Sequence, residues 1–406
     1  MHTCRLLHLL VCAVIVAYPL VPRADDAPDR SGLRSFAAAR IDGVPPVDSR
    51  VTPLIGRVVV HGKFGGRIFG FDIDQNGSEG VLSEAVRLDN GDLLAAVETF
   101  DLRTGEIIAV LATTQSQDDF LTLGVVGNGV GLIEFEHEID LLNVERTFHV
   151  INPLSSNRFT REWTPPIDAD HLIERVSRTQ GSPQAAFYAY DNSENFQPFV
   201  FRSDVAANTF GPAVPLTDEN FSSTGLVPVL AYNHLTHKAV LGIATLGNPF
   251  VPPVFALVDL NDGTQTVFSG VGLGDVNGIA VDAETNIACT TTEIDFSVQF
   301  YDLASQSGFS QFLPGAISQF QSGADVAVDP LHRLFLVAQP NSSTAPGTSS
   351  IHVYDEQGNY IKSIDGFHFS DAGNVVRMHI ALYPSRRFGY VDGPDPGVTE
   401  IQGFRY

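Results

Sequence analysis

Three oxygen-bearing side chains spaced two apart, Asp72-x-Asp74-x-Asn76-Gly77, begin as a calcium loop begins. A complete loop of that kind follows its carboxylates with a bidentate Glu at position twelve. Counting from Asp72, position twelve is Ser83, and Glu84 falls one place late. The flanks GRIFGFDID and GVLSEAVRL are rich in β-branched and aromatic residues, where a calcium hand needs helices. Asp72, Asp74 and Asn76 thus stand as a metal candidate, with Ca2+ the ion that suits their oxygens, and equally as a turn between two strands. The run EFEHEID (134–140) puts Glu134, Glu136 and Glu138 on one side of a strand, a face that suits a cation or plain water. The chain holds no GxSxG nucleophile turn, no HExxH zinc helix and no P-loop lysine motif.

The elements that must carry these groups repeat. GFDIDQNG (70–77) aligns with GIAVDAET (278–285), so that Asp74 falls over Asp282. VLAYNHLTHKAVLG (229–242), ADVAVDPLHRLFLVAQ (324–339) and MHIALYPSRRFGYVDG (378–393) place Asn233, Asp329 and Tyr383 in the same position. Each copy is an apolar run, a polar turn and a second apolar run, the pattern of two antiparallel strands. The turn positions from Asn233 onward lie 49, 47 and 54 residues apart. The gap before Asn233 holds two less regular copies, at 120–138 and 171–190. Seven all-strand repeats of about 50 residues are the signature of a propeller. The expectation is an all-β fold, a single β-propeller of seven four-stranded blades. The last repeat lacks residues for a fourth strand, and RVVVHG (57–62) is a spare strand upstream. That N-terminal strand is expected to complete the final blade and close the ring, removing exposed sheet edges.

In such a ring the first strand of each blade lines the central channel, and the starts of those strands surround its mouth. Counting back from the turn position gives an in-register set that includes Gly70, Val229, Gly278, Asp325 and His379. Asn277 and Arg377 are neighbours, Asp275 lies just outside, and the irregular repeats bring Asn128 and His171 to similar positions. Asp, Asn and His converging on one mouth suit three uses: an oxygen-rich ligand, a calcium ion, or a general base. A polar, water-filled channel is the alternative.

A short basic start, MHTCR, precedes the 16-residue apolar run LLHLLVCAVIVAYPLV (6–21). This is read as an export signal, with cleavage after Ala24 and no stable membrane span once it is removed, an uncleaved anchor being the alternative. The expected organisation is a signal peptide at 1–24, a flexible leader at 25–50 and the propeller at 51–406, secreted or periplasmic. Cys4 and Cys12 leave with the signal, and Cys289 is expected as a buried, inert thiol. Removing the signal leaves 22 basic against 47 acidic residues, a net charge of −25. Such a surface repels phosphate backbones, so nucleic acid is excluded as a partner.

GIAVDAETNIACTT and ADVAVDPLHRLFLVAQ resemble the repeats of NHL-type and YVTN-type propellers. RMHIALYPSRRFGYV (377–391) resembles a strand and turn of seven-bladed lactonase-type propellers. The resemblance covers about residues 224–406, and as a likeness of blades it is shared by many functions. Two expectations follow. One is an exported binding or interaction module, holding a small molecule, glycan or protein at the channel mouth and loops. The other is an extracytoplasmic lactonase-type hydrolase, calcium-dependent if the mouth holds the ion. In that case Arg377, which the resemblance implies, or a cation would polarise the ester carbonyl, while His379 or Asp325 activates water.

Overall fold

The computed structural model describes residues 58–75, 77–116, 119–140, 143–152, 154, 159–165, 171–177, 182–191, 197–222, 228–243, 250–292, 294–314, 323–342, 348–367, 378–393 and 400–406. The segments read as signal and leader lie outside them. The described chain is almost entirely β-strand and forms seven antiparallel sheets.

From the inner strand outward, blade 1 is Arg67–Ile73, Glu79–Arg87, Leu93–Asp101 and Ile107–Ser116. Blade 2 is Asp119–Gly127, Val130–Asp140, Asn143–Ile151 and Phe159–Trp163. Blade 3 is His171–Val176, Gln184–Asp191, Pro198–Asp204 and Thr209–Phe210, with Val214–Pro215 also paired to its third strand. Blade 4 is Val229–Asn233, Lys238–Ile243, Val254–Asp259 and Gln265–Ser269. Blade 5 is Val276–Asp282, Ile287–Thr292, Ser297–Asp302 and Ser307–Phe312. Blade 6 is Asp325–Asp329, Leu334–Ser342, Thr348–Asp355 and Tyr360–Phe367. Blade 7 is Ile380–Tyr383, Phe388–Asp392 and Glu400–Arg405, completed by Val59–His61 from the N-terminal side. Seven four-stranded blades make the β-propeller that the repeats predict.

The core lies between blades rather than within any one of them. Each of seven apolar clusters joins one adjacent pair, including blade 7 to blade 1. Alternate side chains along a strand point to opposite faces, so Ala288 packs toward blade 4 while Cys289 packs toward blade 6. Both faces of a blade are therefore buried, which is why the strands read as unbroken apolar runs. Cys289 is fully buried, as expected, and burial pushes its thiol well above the usual range.

The predicted turns are built by their Asx residues. The Asn233 side chain accepts the Leu235 and Thr236 N–H groups at 3.0 and 3.1 Å. Asp282 accepts Glu284 N–H at 2.9 Å, and Asp329 accepts His332 N–H at 3.0 Å. Each turn then passes through a left-handed residue: His237 (φ 56°), Asn286 (φ 61°) and Arg333 (φ 55°). Tyr383 cannot make this bond, and in blade 7 a 3-10 turn, Pro384–Arg386, replaces it.

Ring closure has its own anchor. After Val59–His61 the chain passes over blade 1, where Phe64 and Gly66 donate N–H groups to Glu84 at 2.8 and 2.7 Å. Lys63 donates its N–H to Glu98 at 2.8 Å. Gly62 is required here, since a Cβ would stand 2.1 Å from the Glu84 carboxylate. Burial, and after it the nearby Glu84 carboxylate, pushes Glu98 up to about 8, so it holds its proton at neutral pH.

Candidate functional site

Blades repeat by rotation about the ring axis, so the starts of the inner strands share one rim. Blades 5, 6 and 7 interlock there. Asn277 Nδ2 donates to the Gly323 carbonyl at 3.0 Å, reaching from blade 5 toward blade 6. Gly278 lets the two backbones close, because a Cβ would lie 2.7 Å from Asp325 Cα. Asp325 Oδ1 accepts its own neighbour's N–H, from Val326, at 2.9 Å. Its Oδ2 accepts the Ile380 N–H of blade 7 at 3.1 Å. Asp275, just before the inner strand of blade 5, accepts the Val276 N–H at 3.2 Å.

His379 stands beside Ile380 and is held by Asp392. The Asp392 carboxylate takes the His379 backbone N–H on one oxygen, and His379 Nδ1 lies 2.9 Å from the other. A carboxylate oxygen accepts, so Nδ1 carries the hydrogen and neutral His379 keeps its lone pair on Nε2. The imidazole is about one-third exposed, whereas the Asp392 side chain is buried. An imidazole fixed in one tautomer by a buried carboxylate can accept a proton or a ligand hydrogen bond at Nε2.

Asp275, Asn277, Asp325 and His379 thus come together on one rim. His171 opens the inner strand of blade 3, opposite Asp191 in register, at the corresponding place of a more distant blade. Arg377 lies outside the described residues. Asn128 is elsewhere: it is exposed, at φ 51°, in the turn that ends the inner strand of blade 2. The adjacent Gly129 has its Cβ direction 4.0 Å from Asp74 Oδ2, which places this turn beside the blade 1 turn on the opposite rim. The glycines of GVVGNGVGL imitate a strand start, while the inner strand begins at Asp119. Asp392 was missed, although its signal was present. Register pairs Tyr383 with Phe388, and counting outward sets His379 opposite Asp392.

Asp72 is half-buried in the inner strand of blade 1 and accepts the Ile73 N–H at 2.8 Å. Asp74 is buried over its own turn, where a Cβ on Gly77 would come within 2.5 Å of its carboxylate. Asn76 lies outside the described residues. Among the described residues no three His, Cys, Asp or Glu side chains are grouped to hold a metal ion. The cation beside EFEHEID is the chain's own, since Arg146 Nε lies 3.4 Å from both Glu134 and Glu136.

The solved structure of U3-55K, a WD40-type propeller, is similar to this chain with a TM-score of 0.56 and 12% sequence identity. The match covers 86% of this chain and 98% of the other. At that identity the likeness is one of fold. No family model and no curated protein matches the sequence. Among the described residues no helix is long and apolar enough to cross a membrane.

Proposed function

We propose that this propeller is an exported binding module that holds its ligand at the rim where the inner strands of blades 5, 6 and 7 begin. The observation that supports it most is the His379–Asp392 pair set beside Asp325 and Asn277. Together they offer an oriented imidazole, carboxylate acceptors and an amide on one rim. Such a set suits a small, oxygen-rich ligand such as a sugar or a lactone, or a polar group of a glycan or protein. The basic start and the 16-residue apolar run at 6–21 support export.

Melting the full chain against calcium, a chelator, and a panel of neutral sugars and lactones tests this reading. A ligand held at a hundred times its Kd raises stability by about 2.7 kcal/mol. His379→Ala and Asp325→Asn should erase the shift. A panel without any shift, or shifts that both variants keep, would remove the rim from consideration.

The geometry of His379 favours a second reading, a lactone or ester hydrolase, which the lactonase-type resemblance also supports. His379 Nε2 would take a proton from water while the water oxygen attacks the carbonyl carbon. The C–O bond to the leaving alkoxide then breaks, and the imidazolium returns the proton to that oxygen, with Asp392 stabilising the cation in between. Turnover of a lactone panel followed by acid release, and its loss in folded His379→Ala, separates this reading from binding alone.

A further inference from the structure

Between Lys238 and His332 the sequence contains no Lys, Arg or His, and it contains ten Asp and Glu. This stretch builds blade 5, three strands of blade 4 and the start of blade 6, and among the described residues its charged groups at the strand-start rim are Asp275, Asp295 and Asp325. Seven of the thirteen exposed large apolar side chains among the described residues fall in the same stretch, under a quarter of the chain.

Four of these seven belong to segments in mutual contact. Phe250 (75% exposed) precedes Val251, whose carbonyl accepts the Gly274 N–H at 3.3 Å. Leu273 lies between Gly272 and Gly274, and Cβ atoms on these glycines would stand 2.7 Å from Asp295 Oδ2 and 2.9 Å from Ile294 N. Phe296 follows, and its carbonyl accepts the Leu313 N–H at 2.9 Å beside Phe312 (65% exposed). The loops between blades 4 and 5 and the second-to-third-strand loops thus carry a run of apolar side chains out to the rim of blade 5. Asp275 and Asp295 lie along it.

Exposed large apolar side chains carried together on segments in contact mark an interaction surface. The charge around this one selects the occupant. A second copy of the chain would bring like charge, and anionic lipid or nucleic acid would meet repulsion. We propose that the strand-start face of blades 4 and 5 docks a segment of a partner protein in which large apolar side chains are flanked by Lys or Arg. The apolar anchors cover Phe250, Leu273, Phe296 and Phe312, and the cations face Asp275 and Asp295. This rests on the propeller being a binding module, but on a surface beside the His379 rim rather than the rim itself.

The test selects a displayed library of random 15-residue peptides against the immobilised full chain, then measures each enriched peptide by fluorescence anisotropy. Enriched peptides are expected to be net positive, with at least two large apolar residues, and to bind more weakly as salt rises. The triple change Phe250→Ser, Phe296→Ser and Phe312→Ser should weaken them at least about tenfold, and His379→Ala should leave them unchanged. Phe250→Ser alone guards against loss of fold, which circular dichroism checks. Neutral or acidic binders, or basic binders indifferent to the triple variant, overturn the proposal. Peptides lost in His379→Ala but kept by the triple variant would overturn it while leaving the rim as a binding site. A library without binders also sinks the docking surface, and the rim then stands or falls on its own ligand panel.

Discussion

Blades 2, 3 and 4 are joined by long cationic side chains, whereas blades 4 to 7 are joined by short ones at their turns. Arg146 and Arg161 of blade 2 reach the carbonyls of Ile173 and Val205 in blade 3. Arg202 of blade 3 donates to His237 Nδ1 at 3.1 Å and to Asn261 at 3.2 Å in blade 4. Farther along, Asn233 donates to Ala283 O and Asn286 Oδ1 of the next turn at 3.2 and 3.0 Å. Asp329 accepts the Tyr406 hydroxyl of blade 7 at 2.9 Å. An arginine spans the gap from almost any strand position. A buried Asp or Asn must sit where the turn puts it.

Blades 1 and 6 also respond to pH in opposite directions. Glu98 of blade 1 is pushed up to about 8, so folding favours its protonated form. Its contribution is full below the unfolded value near 4.5 and is lost as pH rises through 8. His352 of blade 6, buried between Gln339 and Ser363 at 2.7 Å each, is pushed down to about 4. Its contribution is full above 6.5 and is lost as pH falls toward 4.

The largest expected effect is therefore alkaline. Raising pH from 5 to 8.5 should lower stability by on the order of 4 kcal/mol, and Glu98→Gln should remove most of that slope in urea melts. Hydrogen exchange should show blade 1 opening first. Acidification from 7 to 4 should cost roughly 3 kcal/mol through His352, with blade 6 opening first. Opening at the same blade in both directions would break the contrast.

Asp329→Ala comes next, at about 2–3 kcal/mol, because it strands the buried Tyr406 hydroxyl and the His332 N–H. Arg161→Met should cost less, roughly 1–2 kcal/mol, since it removes a donor from two carbonyls, one of which, that of half-buried Ala206, can turn to water. Matched urea midpoints for the pair decide it. An Arg161→Met loss larger than that of Asp329→Ala would mean that the arginine joints, not the turns, hold the ring.

This contrast also explains what could be read in advance. Asn233, Asp282 and Asp329 repeat in sequence because one local turn requires each of them, so the blades and their number were legible. Arg146, Arg161 and Arg202 share no repeat position, and nothing local marks their targets. Counting back from the turns reached the strand-start positions of Asp325 and His379, with Asn277 and Asp275 beside them. Asn128 was misplaced where glycines obscured the strand start, and Asp392 needed only the count across its hairpin.

Sequence alone determined the strand period, the seven repeats, the Asx turns and the excess of acid, all of which follow from local backbone chemistry and composition. The tertiary structure decided which carboxylate orients His379, which blade Asp325 braces, and that Glu84 and Glu98 meet beneath the closing segment. It also gathered Phe250, Leu273, Phe296 and Phe312 onto one acidic face. Those outcomes depend on strand register and on the approach of neighbouring blades, distances set by packing between segments that no local pattern encodes.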